Sequence, residues 1–63
     1  MELLKILIVD DNKNNLLSLK GLIDESINDV QVITADSGMA ALNIVMKQSV
    51  DLIIMDIQMP GMD

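Results

Sequence analysis

The 63-residue sequence has no cysteine, no histidine and no aromatic residue, and these absences exclude several kinds of site. Without cysteine the chain holds neither a disulfide nor a thiolate metal site, which fits a reducing cytoplasm. Without Phe, Tyr or Trp, a core has to be built from the aliphatic residues and methionine that bring the hydrophobic fraction to 51%.

Positive charge is also scarce, because four lysines face ten acidic residues and the net charge is -6. This balance argues against direct binding to nucleic acid or to anionic membranes. The longest apolar runs, residues 6–9 and 52–55, are far shorter than the roughly 20 residues that cross a bilayer. Residues 1–5 do not have the pattern of a secretory signal, so we expect a cytoplasmic location.

The hydrophobic pattern predicts five elements in the order β-α-β-α-β. Strands are expected at residues 5–9, 30–34 and 51–55. The first and third are unbroken apolar runs, which predicts burial on both faces as in a parallel sheet. The second contains Gln31 and Thr34 and is more typical of an edge strand. The helices between the strands are long enough for right-handed parallel crossovers, so the fold class is α/β.

The first helix is expected at residues 13–26. Its apolar residues recur at helical spacing, as Leu16, Leu19, Leu22, Ile23 and Ile27. Gly21 lies inside it and either costs up to about 1 kcal/mol relative to alanine or lets the helix pack closely on the sheet. A second helix is predicted to follow a cap at residues 36–38, which have no expected catalytic role, and to end near residue 48.

Acidic residues follow two of the predicted strands: Asp10 and Asp11 the first, and Asp56 the third. If these strands are neighbours, about 4.8 Å apart, the three carboxylates converge at one edge of the sheet. Two such charges 4 Å apart repel by about 4 kcal/mol at an effective dielectric near 20, so the cluster needs a cation or altered pKa values. Carboxylate ligands favour Mg²⁺, or Mn²⁺, and a carboxylate beside Mg²⁺ can attack a phosphoryl group.

Simpler interpretations of the same acids remain open. Asp10 and Asp11 are also residue types that cap helices, and Asp56 could merely begin the turn that Pro60 and Gly61 predict. Capping and metal binding are compatible, so the two interpretations do not exclude each other.

Three segments together resemble the receiver domain of bacterial two-component response regulators: residues 6–12 (ILIVDDN), 36–42 (DSGMAAL) and 51–63 (DLIIMDIQMPGMD). The resemblance implies a flavodoxin-like parallel sheet with strand order 2-1-3. It implies that Asp56 is the phosphoacceptor, and that Asp10, Asp11, Asp56 and the backbone carbonyl of Gln58 bind Mg²⁺. The phosphoryl donor would be a phosphohistidine on a sensor histidine kinase or a phosphotransfer protein.

A full receiver domain is longer and has a Ser or Thr after its fourth strand and a Lys after its fifth. We therefore expect residues 1–63 to be the N-terminal half of one receiver domain, acting as a signalling phosphoacceptor rather than an enzyme. Without strands 4 and 5, the bared edge of the third strand favours a homodimer. Two alternatives stay open: a Mg²⁺-dependent aspartyl-nucleophile phosphatase or phosphotransferase, in which Gln58 would replace the usual second Asp, and a pseudo-receiver that binds partners without phosphorylation.

Overall fold

The computed structural model describes residues 3–55 and contains the five predicted elements in the predicted order. They are β1 (Leu4–Val9), α1 (Lys13–Ser26), β2 (Val30–Ala35), α2 (Gly38–Lys47) and β3 (Leu52–Met55). The predicted bounds of α1 are confirmed, and the strand ends differ from the prediction by one residue. No helix in this part of the chain is long and apolar enough to cross a membrane.

The three strands form a parallel sheet in the order β2-β1-β3, which confirms the flavodoxin-like arrangement. β2 lies at an edge of this sheet, as its polar residues predicted. The register sets Val9 of β1 beside Ala35 of β2 and also beside Met55 of β3. All three strands therefore end at the same level, and the residues that follow β1 and β2 lie along one edge of the sheet.

The core has two layers, one on each face of the sheet, because successive side chains of β1 point to opposite faces. Residues 6–9 of β1 are almost completely buried, with exposed fractions of 0–2%. One layer lies between the sheet and α2 and consists of Leu7, Val9 and Ala35 of the strands and Ala41 of the helix. The other packs against α1 and consists of Ile6, Ile8, Leu16 and Ile23.

The prediction that β3 is buried on both faces is wrong for the described part of the chain. Its four residues are 38–49% exposed. The reason is the number of neighbours: β1 has a strand on each side and a helix on each face, whereas β3 pairs only with β1 within residues 3–55. Both helices pack over β1 and β2, and the faces of β3 stay partly exposed.

The apolar stripe of α1 is narrower than its sequence predicted. Leu16 and Ile23 are buried, whereas Leu22 is 61% exposed and Ile27, the C-cap residue after the helix, is 41% exposed. Gly21 does not allow close packing on the sheet, because a Cβ atom at this position would meet no atom within 4 Å. That interpretation of Gly21 is wrong, and the residue lies on the exposed side of the helix.

Candidate functional site

The carboxyl ends of the strands form a polar edge, and an aspartate follows each strand in the sequence. Asp36 follows β2, Asp10 follows β1 and Asp56 follows β3. Open parallel sheets bind ligands at this edge, between neighbouring strands whose connections lead in opposite directions. Asp56 and Gln58, two of the predicted site residues, lie outside the described residues, whereas Asp10 and Asp11 lie within them.

Asp10 is half-buried and is held by three hydrogen bonds. Its main-chain N–H donates to the carbonyl oxygen of Ala35 at 3.1 Å, which extends the β1–β2 pairing by one residue. Its Oδ1 accepts the main-chain N–H of Asn12 at 2.9 Å. Its Oδ2 accepts a hydrogen bond from Nδ2 of Asn15 at 3.3 Å. Both carboxylate oxygens of Asp10 thus have a partner on the segment that begins α1.

The N-cap of α1 is Asn12 rather than either aspartate. Its Oδ1 accepts the main-chain N–H groups of Asn14 and Asn15, at 2.9 and 3.2 Å, two of the donors that a helix start leaves without a partner. The interpretation of Asp10 and Asp11 as the helix cap is therefore wrong. Asp11 is exposed, and no other residue between positions 3 and 55 donates a hydrogen bond to its carboxylate.

The loop before α2 is a helix cap, as predicted. Oγ of Ser37 accepts the main-chain N–H of Ala40 at 3.0 Å, and α2 begins at Gly38. The exposed Asp36 lies on the outer side of Asp10, away from β3, because β1 separates β2 from β3. The strand order thus separates Asp36 from the pair of strands that Asp10 and Asp56 follow.

A groove of about 380 Å³ opens beside Asp10, between α1 and β3. Its walls are mainly apolar and include Leu16, Leu19 and Ile54, while Asp10, Asn15 and Ser18 supply its polar groups. The charged group of this groove, the carboxylate of Asp10, therefore lies at its end beside the carboxyl ends of the strands.

The donor chemistry of this edge fits a hard divalent cation. Asp10 and Asp11 supply carboxylate oxygens, the ligands that Mg²⁺ and Mn²⁺ prefer, and the sequence offers neither His nor Cys to draw softer metals. Within residues 3–55, no three acidic side chains are grouped closely enough to enclose a metal ion by themselves. The third carboxylate of the predicted set, that of Asp56, is outside this range.

Asn15 is the residue of this edge that the sequence did not reveal, because it resembles any polar residue on the exposed face of a helix. One signal could have found it. Asn15 stands three residues after the cap residue Asn12, and a side chain at that position can reach back to the segment before the helix.

Comparison with known protein families identifies the chain. The family model described as the response regulator receiver domain matches residues 6–63. The chain belongs to this receiver-domain family. The family predicted from the sequence is therefore confirmed. Receiver domains act in two-component and phosphorelay signal transduction.

Curated relatives include large sensor proteins. The chain is 44% identical over 59 residues to the sensor histidine kinase GacS of Pseudomonas protegens, with 94% of the chain and 6% of the relative covered. It is 43% identical over 58 residues to the virulence sensor protein BvgS of Bordetella pertussis, with 92% and 4% covered. It is 40% identical over 58 residues to the signal transduction histidine-protein kinase BarA of Escherichia coli K12, with 92% and 6% covered.

The chain thus spans only about a twentieth of the length of these relatives. No solved structure matches it.

Proposed function

We propose that this chain is a phosphoacceptor segment of a receiver domain, and that Asp56 receives the phosphoryl group. The observation that carries the proposal is the common end of β1 and β3, where Val9 and Met55 are register partners. Asp10 and Asp56 are the residues that follow these partners in the sequence. Neighbouring strands are about 4.8 Å apart, a spacing at which carboxylates at the two strand ends can share one cation.

The proposed reaction is transfer of a phosphoryl group from a phosphohistidine. A carboxylate oxygen of Asp56 attacks phosphorus, the new P–O bond gives an acyl phosphate, and the P–N bond to the histidine breaks. The departing imidazole nitrogen keeps the bonding electron pair and takes a proton from water. Asp56 is thereby the acceptor in a signalling step and does not turn over a substrate.

Asp10, Asp11, Asp56 and the backbone carbonyl of Gln58 are the proposed ligands of Mg²⁺, with Mn²⁺ as a possible substitute. When bound, the cation supplies positive charge that offsets both the repulsion among the carboxylates and the charge of the incoming phosphoryl oxygens. The support from the described residues is the half-buried, hydrogen-bonded Asp10 and the exposed carboxylate of Asp11.

The proposed partner is a sensor histidine kinase or a phosphotransfer protein in the cytoplasm. A relative named as a sensor histidine kinase contains a segment 44% identical to this chain, which supports a phosphohistidine as the donor. We also propose that residues 1–63 are the N-terminal half of one receiver domain.

The test is a titration with Mg²⁺, with and without beryllofluoride, a mimic of an aspartyl phosphate. We expect Mg²⁺ binding by the wild-type chain, and beryllofluoride binding that is lost in Asp56→Asn. Asp51→Asn is the matched control, because Asp51 precedes β3 at the amino ends of the strands, away from the proposed site. This substitution should leave the binding of both ligands unchanged.

Two outcomes of this titration would reject the proposal. A folded wild-type chain that binds no Mg²⁺ would contradict the metal ligands. Mg²⁺ binding without beryllofluoride binding would favour the pseudo-receiver alternative.

We further propose that two copies of the 63-residue chain associate through the outer edge of β3. The support is an uncharged strand, 38–49% exposed, that has one neighbouring strand among the described residues. Antiparallel pairing about a twofold axis perpendicular to the sheet would join two three-stranded sheets and keep both α1 helices on one face. Light scattering at micromolar concentration should then give a dimer mass, and a stable folded monomer would contradict this proposal.

A further inference from the structure

The carboxylate of Asp10 is held at both oxygens by the beginning of α1. Oδ1 accepts the main-chain N–H of Asn12 at 2.9 Å, a bond that any residue at position 12 other than proline could make. Oδ2 accepts Nδ2 of Asn15 at 3.3 Å, a bond that depends on the amide side chain. The orientation of Asp10 therefore depends on the identity of a residue five positions later in the chain.

The helix start explains how Asn15 reaches this carboxylate. Asn12 is the N-cap, so Asn15 is the third residue of the first turn of α1. In a common capping arrangement, an acidic side chain at this position accepts the N–H of the cap residue. Here Asp10 accepts that N–H instead, and Asn15 donates to Asp10. A carboxylate at position 15 would repel Asp10, whereas an amide nitrogen stabilises its charge.

We propose that Asn15 is a positioning residue for Asp10 in the cation site, an inference that rests on the proposed function. An ionised carboxylate has about four lone-pair positions, and two hydrogen bonds leave about two for a cation or its water. A fixed side chain loses less conformational freedom when the cation binds. Hydrogen-bond partners of metal-ligating groups typically change metal affinity by about 10- to 100-fold, and the 3.3 Å bond places Asn15 at the lower end.

Asn14 offers a closely matched control. The main-chain N–H groups of Asn14 and Asn15 both donate to Oδ1 of Asn12, so the two residues contribute alike to the helix cap. Both side chains are exposed asparagines in the first turn of α1. Of the two side chains, that of Asn15 alone donates a hydrogen bond to Asp10. Replacing each by alanine thus changes the helix start equally and separates the positioning role from a structural one.

The experiment compares the wild-type chain with Asn15→Ala and Asn14→Ala by NMR. Mg²⁺ affinity is measured from the amide shifts of Asp10 and Asp11, and the χ1 rotamer of Asp10 from three-bond couplings without metal. In Asn15→Ala we expect Mg²⁺ affinity to fall about tenfold, together with averaging of the Asp10 rotamer. In Asn14→Ala we expect both measurements to stay at their wild-type values.

The remaining outcomes overturn the inference. Equal affinities in all three chains, or equal losses in the two variants, would show that Asn15 does not position Asp10 for the cation, and the proposed function would stand. A wild-type chain that binds no Mg²⁺ would remove the proposed function and this inference together.

Discussion

β1 and β3 have nearly the same kind of sequence and very different surroundings. Each has a run of four aliphatic residues or methionine, and each is followed by aspartate. Residues 6–9 of β1 are 0–2% exposed, whereas Leu52–Met55 of β3 are 38–49% exposed. The two strands are direct neighbours in register, so the local conformation of the backbone does not explain the difference.

The difference shows what an apolar run in a strand predicts. It indicates that both faces of the strand are suited to burial, but it does not indicate which neighbouring elements bury them. β1 is covered because β2 and β3 flank it and α1 and α2 pack on its two faces. β3 has the same requirement, but only one strand satisfies it within the described residues. Stability is therefore expected to be concentrated in β1, while β3 has its roles in the proposed cation site and in the proposed dimer.

The largest expected effect comes from replacing register partners in the two strands. Leu7 and Ile53 are paired in register and are 0% and 49% exposed. Leu7→Ala should lower the free energy of unfolding by about 2–5 kcal/mol, because it leaves a cavity in the core. Ile53→Ala should cost about 1 kcal/mol, because half of its side chain is already in water. Urea unfolding followed by circular dichroism measures both changes. Equal losses of unfolding free energy would contradict the expected difference between β1 and β3.

A smaller effect is expected where the start of β3 is tied to β1. Oδ2 of Asp51 accepts the main-chain N–H of Lys5 at 2.8 Å, and the N–H of Asp51 donates to the carbonyl oxygen of Lys5 at 2.9 Å. Asp51→Ala removes the first bond and should cost about 0.5–1 kcal/mol, a value reduced by exposure to water. Asp51→Asn keeps an acceptor oxygen and should cost less. Hydrogen exchange at Ile53 and Ile54 measures whether β3 loosens first.

A substitution outside both strands should raise the free energy of unfolding. The losses caused by Leu7→Ala and Ile53→Ala are then easier to measure in the more stable chain. Gly21 lies in α1 with open space where a Cβ atom would be. Gly21→Ala should therefore raise the free energy of unfolding by about 0.5–1 kcal/mol, because alanine loses less backbone entropy in a helix. The gain should appear equally in the Leu7→Ala and Ile53→Ala backgrounds, and a gain confined to one of them would show coupling between α1 and that strand.

The smallest effect is expected at the surface of α1. Nζ of Lys20 contacts Oδ2 of Asp24 at 3.0 Å, and both side chains are more than 40% exposed. Lys20→Ala should cost no more than about 0.5 kcal/mol, because solvent screens an exposed pair and the lysine precedes the acid, the less favourable order along a helix. The loss should shrink further at high salt, and a salt-independent loss would point to packing by the lysine stem.

Much of the fold was predictable because its signals are local. The helical spacing of Leu16 and Ile23 and the cap-forming residues before Lys13 define α1, and the apolar run before Asp10 defines β1. The polar edge was also predictable, since Asp10 and Asp11 directly follow β1. These features need only a few neighbouring residues in the sequence.

Features that depend on the three-dimensional arrangement of the chain were not predicted from the sequence. The exposure of Ile53 follows from which elements lie beside β3, and the sequence of β3 does not contain that information. The bond from Asn15 to Asp10 depends on the direction of two side chains at a helix start. Asp29 adopts a left-handed backbone, with φ of 57°, in the turn between α1 and β2, a conformation that aspartate tolerates better than most residues.

The most direct test of the account is to locate a bound cation on the folded chain. Mn²⁺ added in small amounts broadens the NMR signals of nearby amides and can replace Mg²⁺ at carboxylate ligands. We predict that broadening centres on Asp10, Asp11 and Met55. The signals of Lys5 and Asp51, at the amino ends of the strands, should stay sharp. Broadening centred on Asp24 and Glu25, or spread evenly over the acidic surface, would contradict a cation site where β1 and β3 end.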